Sequence, residues 1–127
     1  MRLAHLMRGV LLLQLLWLGT AGCSKTASSP PTPLALDQLP AALEKAFTKA
    51  RSEAKALANQ VVAFLQAQDY TKAYTGLQNL LGKPSLTKEQ INVTTRGSLT
   101  VTALLQSAQA NGDAKAADAL KAYRLNK

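Results

Sequence analysis

Between Leu39 and Phe64 the apolar residues return at steps of three and four: Leu39, Leu43, Phe47, Ala50, Ala54, Leu57, Val61 and Phe64. That spacing places them along one side of an α-helix and leaves Lys45, Lys49, Glu53 and Lys55 on the solvated side. It constrains the chain more than any other feature, because a strand with period two cannot gather these residues on one face. Asp37 can cap the start, and Pro40 fits a first turn, where its missing N–H costs nothing. The pattern predicts one long helix that runs to the polar break at Gln68 and Asp69. Composition agrees: hydrophobic residues make up 47% of the 127 but aromatic ones only 5%, so the core must be built from Ala, Leu and Val.

The periodicity restarts at Tyr70 with Ala73, Tyr74, Leu77, Leu80 and Leu81, and Gly82-Lys83-Pro84 stops it. Thr87 followed by Gln90 has the form of a capping box, and Glu89 stands at the positive end of the helix dipole. The helix predicted from there to about Asn111 carries Val93, Thr94, Thr95, Gly97, Thr100, Val101 and Thr102, all poor helix formers, and a short strand competes with it. Gly112-Asp113 ends that segment and caps a last helix over residues 114–125. The fold class expected is all-α: a small antiparallel helical bundle or two helical hairpins, about four helices, over residues 36–127.

Residues 65–80 (LQAQDYTKAYTGLQNL) and 107–125 (SAQANGDAKAADALKAYRL) echo one another. Each passes from a polar break into an Asp, with Ala four residues later: Asp69 and Ala73, then Asp113 and Ala117. Leu57, Val61 and Phe64, followed by Tyr70, Ala73, Leu77 and Pro84, resemble one tetratricopeptide repeat, a helix–turn–helix unit. The second copy has Ala114 where the first has Tyr70, and it has no terminal proline. A generic helical bundle is the competing reading, since stable arrays need about three repeats.

The front of the chain has a different character. Arg2 and Arg8 precede a short apolar run, VLLLQLLWL at residues 10–18, and small residues follow at Gly19, Thr20, Ala21 and Gly22. This is the pattern of an export signal over residues 1–22. The run is well short of the roughly 20 residues that cross a bilayer, which sets a retained membrane anchor against it. Thr20-Ala21-Gly22-Cys23 resembles the lipobox of bacterial lipoproteins, with Thr20 where that family favours Leu. The resemblance implies a diacylglyceryl group on the Cys23 thiol, palmitate-type acylation, and removal of the leader so that Cys23 becomes the first residue. It further implies that Ser24 permits transfer to the outer membrane, facing the periplasm. An ordinary secretory cleavage after Ala21 stays open beside it. Cys23 is the sole cysteine, so no disulfide is available, and an unpaired thiol is a liability in an exported protein that lipidation removes. Residues 23–35 (CSKTASSPPTPLA) then read as the lipidated cysteine and a Ser/Pro-rich tether.

Little in the remainder suggests chemistry. The single histidine, His5, belongs to the leader, so the mature chain has neither histidine nor free thiol. Asp37, Asp69, Glu89 and Asp113 are explained as helix-start residues, and no phosphate loop or zinc spacing occurs. The expectation is a protein that is not an enzyme, with no cofactor, no metal and no small-molecule substrate. Its partners are then the membrane, through the lipid on Cys23, and a protein. The formal charge is +8, or about +6 once Arg2 and Arg8 leave with the leader. The cations are scattered and no stacking aromatics lie among them, so no nucleic acid is expected. Tyr70 and Tyr74, one turn apart, form a candidate interaction face, with half-buried packing as the alternative. The function expected is a lipid-anchored helical protein-interaction module of the bacterial cell envelope. The alternative is a basic structural protein that binds anionic polymer or lipid headgroups.

Overall fold

The computed structural model describes residues 29–125, which form five α-helices with no strand among them. The leader, Cys23 and Ser24 lie outside the described residues. The helices are α1 (Leu39–Phe47), α2 (Ser52–Gln66), α3 (Tyr70–Leu81), α4 (Lys88–Ala110) and α5 (Ala114–Leu125). α4 is the longest and packs against α1, α3 and α5, while α2 packs against α1 and α3, and α3 also touches α5. Helices α1 to α4 therefore close into a ring, and α5 lies in the angle between α3 and α4. The core runs through the ring: Leu39, Leu43, Phe47, Val61, Leu77, Leu80 and Val101 are all essentially inaccessible to solvent. Each such side chain contributes about 1.5–3 kcal/mol by leaving water.

The long first helix of the sequence pattern is two helices, and the reason lies in its carbonyls. The last four C=O groups of a helix have no partner within it. Here all four are satisfied at once. Thr48 donates its hydroxyl to the Glu44 carbonyl at 2.8 Å and its N–H to Lys45, and the Ala50 N–H reaches Phe47. The fourth, Ala46, accepts from the side-chain amide of Gln90 on α4 at 3.2 Å. The chain can therefore leave the helix at Phe47 and turn back as α2. The start of α1 differs as well: Gln38, not Asp37, is the N-cap residue, without a side-chain bond, and a turn accepted by the Ala35 carbonyl leads into it.

The other boundaries follow the sequence signals. The Asp69 carboxylate accepts from the Lys72 N–H, and the Asp113 carboxylate accepts from Lys115 and Ala116. Thr87 and Gln90 form the reciprocal capping box. α4 stays helical despite its weak helix formers because Thr94, Gly97, Thr100 and Val101 are buried against its neighbours; the Thr94 hydroxyl donates to the Gln90 carbonyl at 2.6 Å, and that of Thr100 lies 3.1 Å from the Arg96 carbonyl.

The two echoing segments prove to be the two hairpin corners, α2 to α3 and α4 to α5. Asp69 N–H bonds the Phe64 carbonyl and Gln68 N–H that of Leu65; Asp113 N–H bonds Ala108 and Gly112 N–H bonds Gln109. Both are Schellman turns whose last residue is the aspartate that caps the next helix. The left-handed position holds Gly112 (φ 91°) in one corner and Gln68 (φ 57°) in the other.

Two glycines mark where helices touch most closely. A methyl at Gly76 would fall 2.6 Å from Val61 Cγ2 on α2, and one at Gly97 equally close to Leu39 Cδ1 on α1. Val61 is β-branched and held close to its own backbone, whereas the Leu39 contact is the end of a longer side chain. Gly76→Ala should lose about 1–3 kcal/mol despite its better helix propensity, and more than Gly97→Ala; urea unfolding of the two variants measures the difference. Gln68→Gly should gain about 0.5 kcal/mol in the same assay, because glycine takes the left-handed conformation without a Cβ clash.

Candidate functional site

A concavity lies where α5 meets α3 and α4. Tyr74 and Gln78 on α3, Ser98 and Thr102 on α4, and Leu120 and Tyr123 on α5 line a groove of about 410 Å³. Its walls follow from helix periodicity: Tyr74 and Gln78 are one turn apart on α3, as are Ser98 and Thr102 on α4. Gln78 Nε2 donates to Ser98 Oγ at 2.7 Å across the floor and fixes α3 against α4. Tyr123 meets Tyr74 edge to face, ring centroids 5.8 Å apart at 80°, and separates this groove from a second of about 320 Å³ bounded by Asn79, Ala119 and Ala122.

The sequence singled out Tyr70 and Tyr74 as a pair, and the structure does not bring them together on an exposed face. Tyr74 is only 4% exposed and belongs to the core, while Tyr70 is half-buried at the start of α3. The residue that joins Tyr74 is Tyr123, 49 positions away and unmarked by any local pattern. On the far side of α3 a shallower groove holds Leu57, Gln60 and Phe64, with the Lys72 ammonium 5.7 Å from the Phe64 ring centroid.

Electrostatically the main groove is quiet. Its polar groups are amides and hydroxyls, with Arg124 the one ionised side chain along its edge. Such a lining suits the backbone or amide side chains of a peptide, which exchange hydrogen bonds without a desolvated charge. Among the described residues no three His, Cys, Asp or Glu side chains gather as metal ligands. No helix among them is long and apolar enough to cross a membrane.

Among the described residues three groups depart from their ordinary acidity. The Lys72 N–H bonded to the Asp69 carboxylate holds it below the usual range, as the hydrogen bond and ion pair with Lys83 do for Glu53. Burial, with Tyr123 adding, pushes the Tyr74 hydroxyl above its ordinary value of 10.0. Family models, curated proteins and solved structures yield no match to this chain.

The Tyr74 shift predicts a pH dependence. The fold favours the neutral phenol, so its contribution to stability is complete below about pH 10 and is lost as pH rises through the elevated value. Ultraviolet titration should show one of the three tyrosines ionising late, and Tyr74→Phe should remove that part of the alkaline loss of stability.

Proposed function

We propose that this protein is a lipid-anchored component of the bacterial cell envelope that acts as a small, non-catalytic helical interaction module. The observation that carries the reading is the placement of the sole cysteine, Cys23, directly after Ala21-Gly22 at the end of a short apolar run. Acylation there would supply more than one chain to the membrane, and two chains hold stably where one does not. With Ser24 next in sequence, the reading extends to the outer membrane, with the domain in the periplasm.

The interaction half of the proposal draws on the groove between α3, α4 and α5. Neutral hydrogen-bonding groups beside two aromatic rings and Leu120 fit a protein segment better than a charged ligand. The second reading, a basic protein bound to anionic material, is favoured by the excess of cations.

Three measurements test these readings. Cys23→Ser should move the protein from the membrane fraction to the soluble fraction, and the intact mass of the native protein should show an acylated amino-terminal cysteine. A mature chain that starts elsewhere or keeps a free thiol would falsify the anchor. Partner recovery by the lipidated protein should persist at high ionic strength if the groove governs, and should fall away with salt if charge does.

A further inference from the structure

The described chain does not enter the fold at a neutral place. Thr32 accepts from Arg96 Nε at 2.8 Å through its carbonyl, and Leu34 accepts from Thr100 at 2.5 Å through its own. The segment thus lies along α4, although the sequence grouped it with the tether. Ser29 and Pro31 continue it beside Lys88, Ile91 and Asn92, in the first turns of α4. The end of the bundle where α4 begins is therefore the end where the chain arrives.

That same end collects the charge. Gln90 joins the start of α4 to the end of α1, and Lys83 pairs with Glu53 to bring the α3–α4 corner to the start of α2. Together these corners carry Lys45, Lys49, Arg51, Lys55, Lys83 and Lys88 against Glu44, Glu53 and Glu89. The opposite end, with the two Schellman corners, carries Lys72, Lys115 and Lys121 against Asp69, Asp113 and Asp118. One end is thus net positive and the other close to neutral. Ile91, 46% exposed, adds an apolar side chain at the positive end.

We infer that this basic end is a second membrane contact: it rests on anionic lipid headgroups of the bilayer that holds Cys23. The inference rests on the lipid-anchor reading for its geometry. Ser29 stands six residues after Cys23, a reach of at most about 20 Å when fully extended. A tether that short, entering at the positive end, keeps those cations close to the headgroups, where an anionic surface attracts them within a Debye length. The neutral end points away from the bilayer.

The test uses the native lipidated protein in phosphatidylcholine vesicles, with and without phosphatidylglycerol, and measures lysine acetylation site by site. Lys45, Lys49, Lys55 and Lys88 should be acetylated about three-fold or more slowly than Lys115 and Lys121 when phosphatidylglycerol is present, and high salt should abolish the difference. The double variant Lys49→Glu, Arg51→Glu should still float with the vesicles and keep its helical circular dichroism, yet lose the protection at Lys45 and Lys88. Loss of flotation would count against the anchor, whereas retained flotation with even acetylation would count against the docking. Protection of Lys115 and Lys121 instead, or equal protection on pure phosphatidylcholine, overturns the inference. So does protection by soluble dextran sulfate with none on vesicles.

Discussion

The side-chain amide of Gln90 serves two helices at once. Its oxygen accepts from the Thr87 N–H and completes the capping box of α4, and its nitrogen donates to the Ala46 carbonyl at the end of α1. Gln90 itself is buried, and an apolar residue there would remove both bonds at once. The rest of the architecture depends on this link. It lets α1 stop at Phe47, and further along α4 the bare backbone at Gly97 admits Leu39. Contact between α1 and α4 then closes the ring. A stack of repeats joins each unit only to its neighbours, whereas this contact skips the α2–α3 hairpin.

How much of this was legible in the sequence depends on how far each signal reaches along the chain. Tyr70–Leu81 and Ala114–Leu125 stand where the pattern put them, because Asp69, Asp113 and the Gly82 and Gly112 stops act within a few residues. The capping box at Thr87 was legible for the same reason. The break after Phe47 was not: residues 48–51 contain neither Gly nor Pro, and the group that satisfies Ala46 lies 44 positions away. The same holds for the candidate groove. Tyr74 could be read as packing material from its period, but its partner Tyr123 and the Gln78–Ser98 bond depend on how α5 and α4 dock. The entry segment was the least legible. Its Pro and Thr content describes a solvated spacer, while two carbonyls bonded to Arg96 and Thr100 fix it on α4.

The internal echo gains a physical meaning that similarity of letters alone lacked. Both copies encode one device, a Schellman turn whose final residue is the aspartate cap of the next helix. Helix end and helix start share one residue, so each hairpin reverses direction with almost no connecting chain. Beyond the corner the two copies diverge. After Asp69 the buried small residue is Ala73, and after Asp113 it is Ala116 with Ala117 only partly covered. α5 is thus rotated relative to α3 at the matching position, and it meets its neighbours through Ala116, Leu120 and Tyr123.

Charge and concavity occupy different parts of the molecule, and the proposed anchor gives that separation a consequence. The cations cluster where α1 ends and α4 begins, while α5, which forms one wall of the groove, starts at the opposite end beside Asp69 and Asp113. A domain resting on its basic end would hold α5 and the two grooves around Tyr123 to the side and above, clear of the lipid. Attachment and recognition would then not compete for one surface. The length of the tether limits distance but does not set orientation, and a one-sided positive field is the feature that would set it. Screening acts on that field and leaves acyl burial untouched, so salt would loosen the orientation of the domain while the chain stays in the membrane.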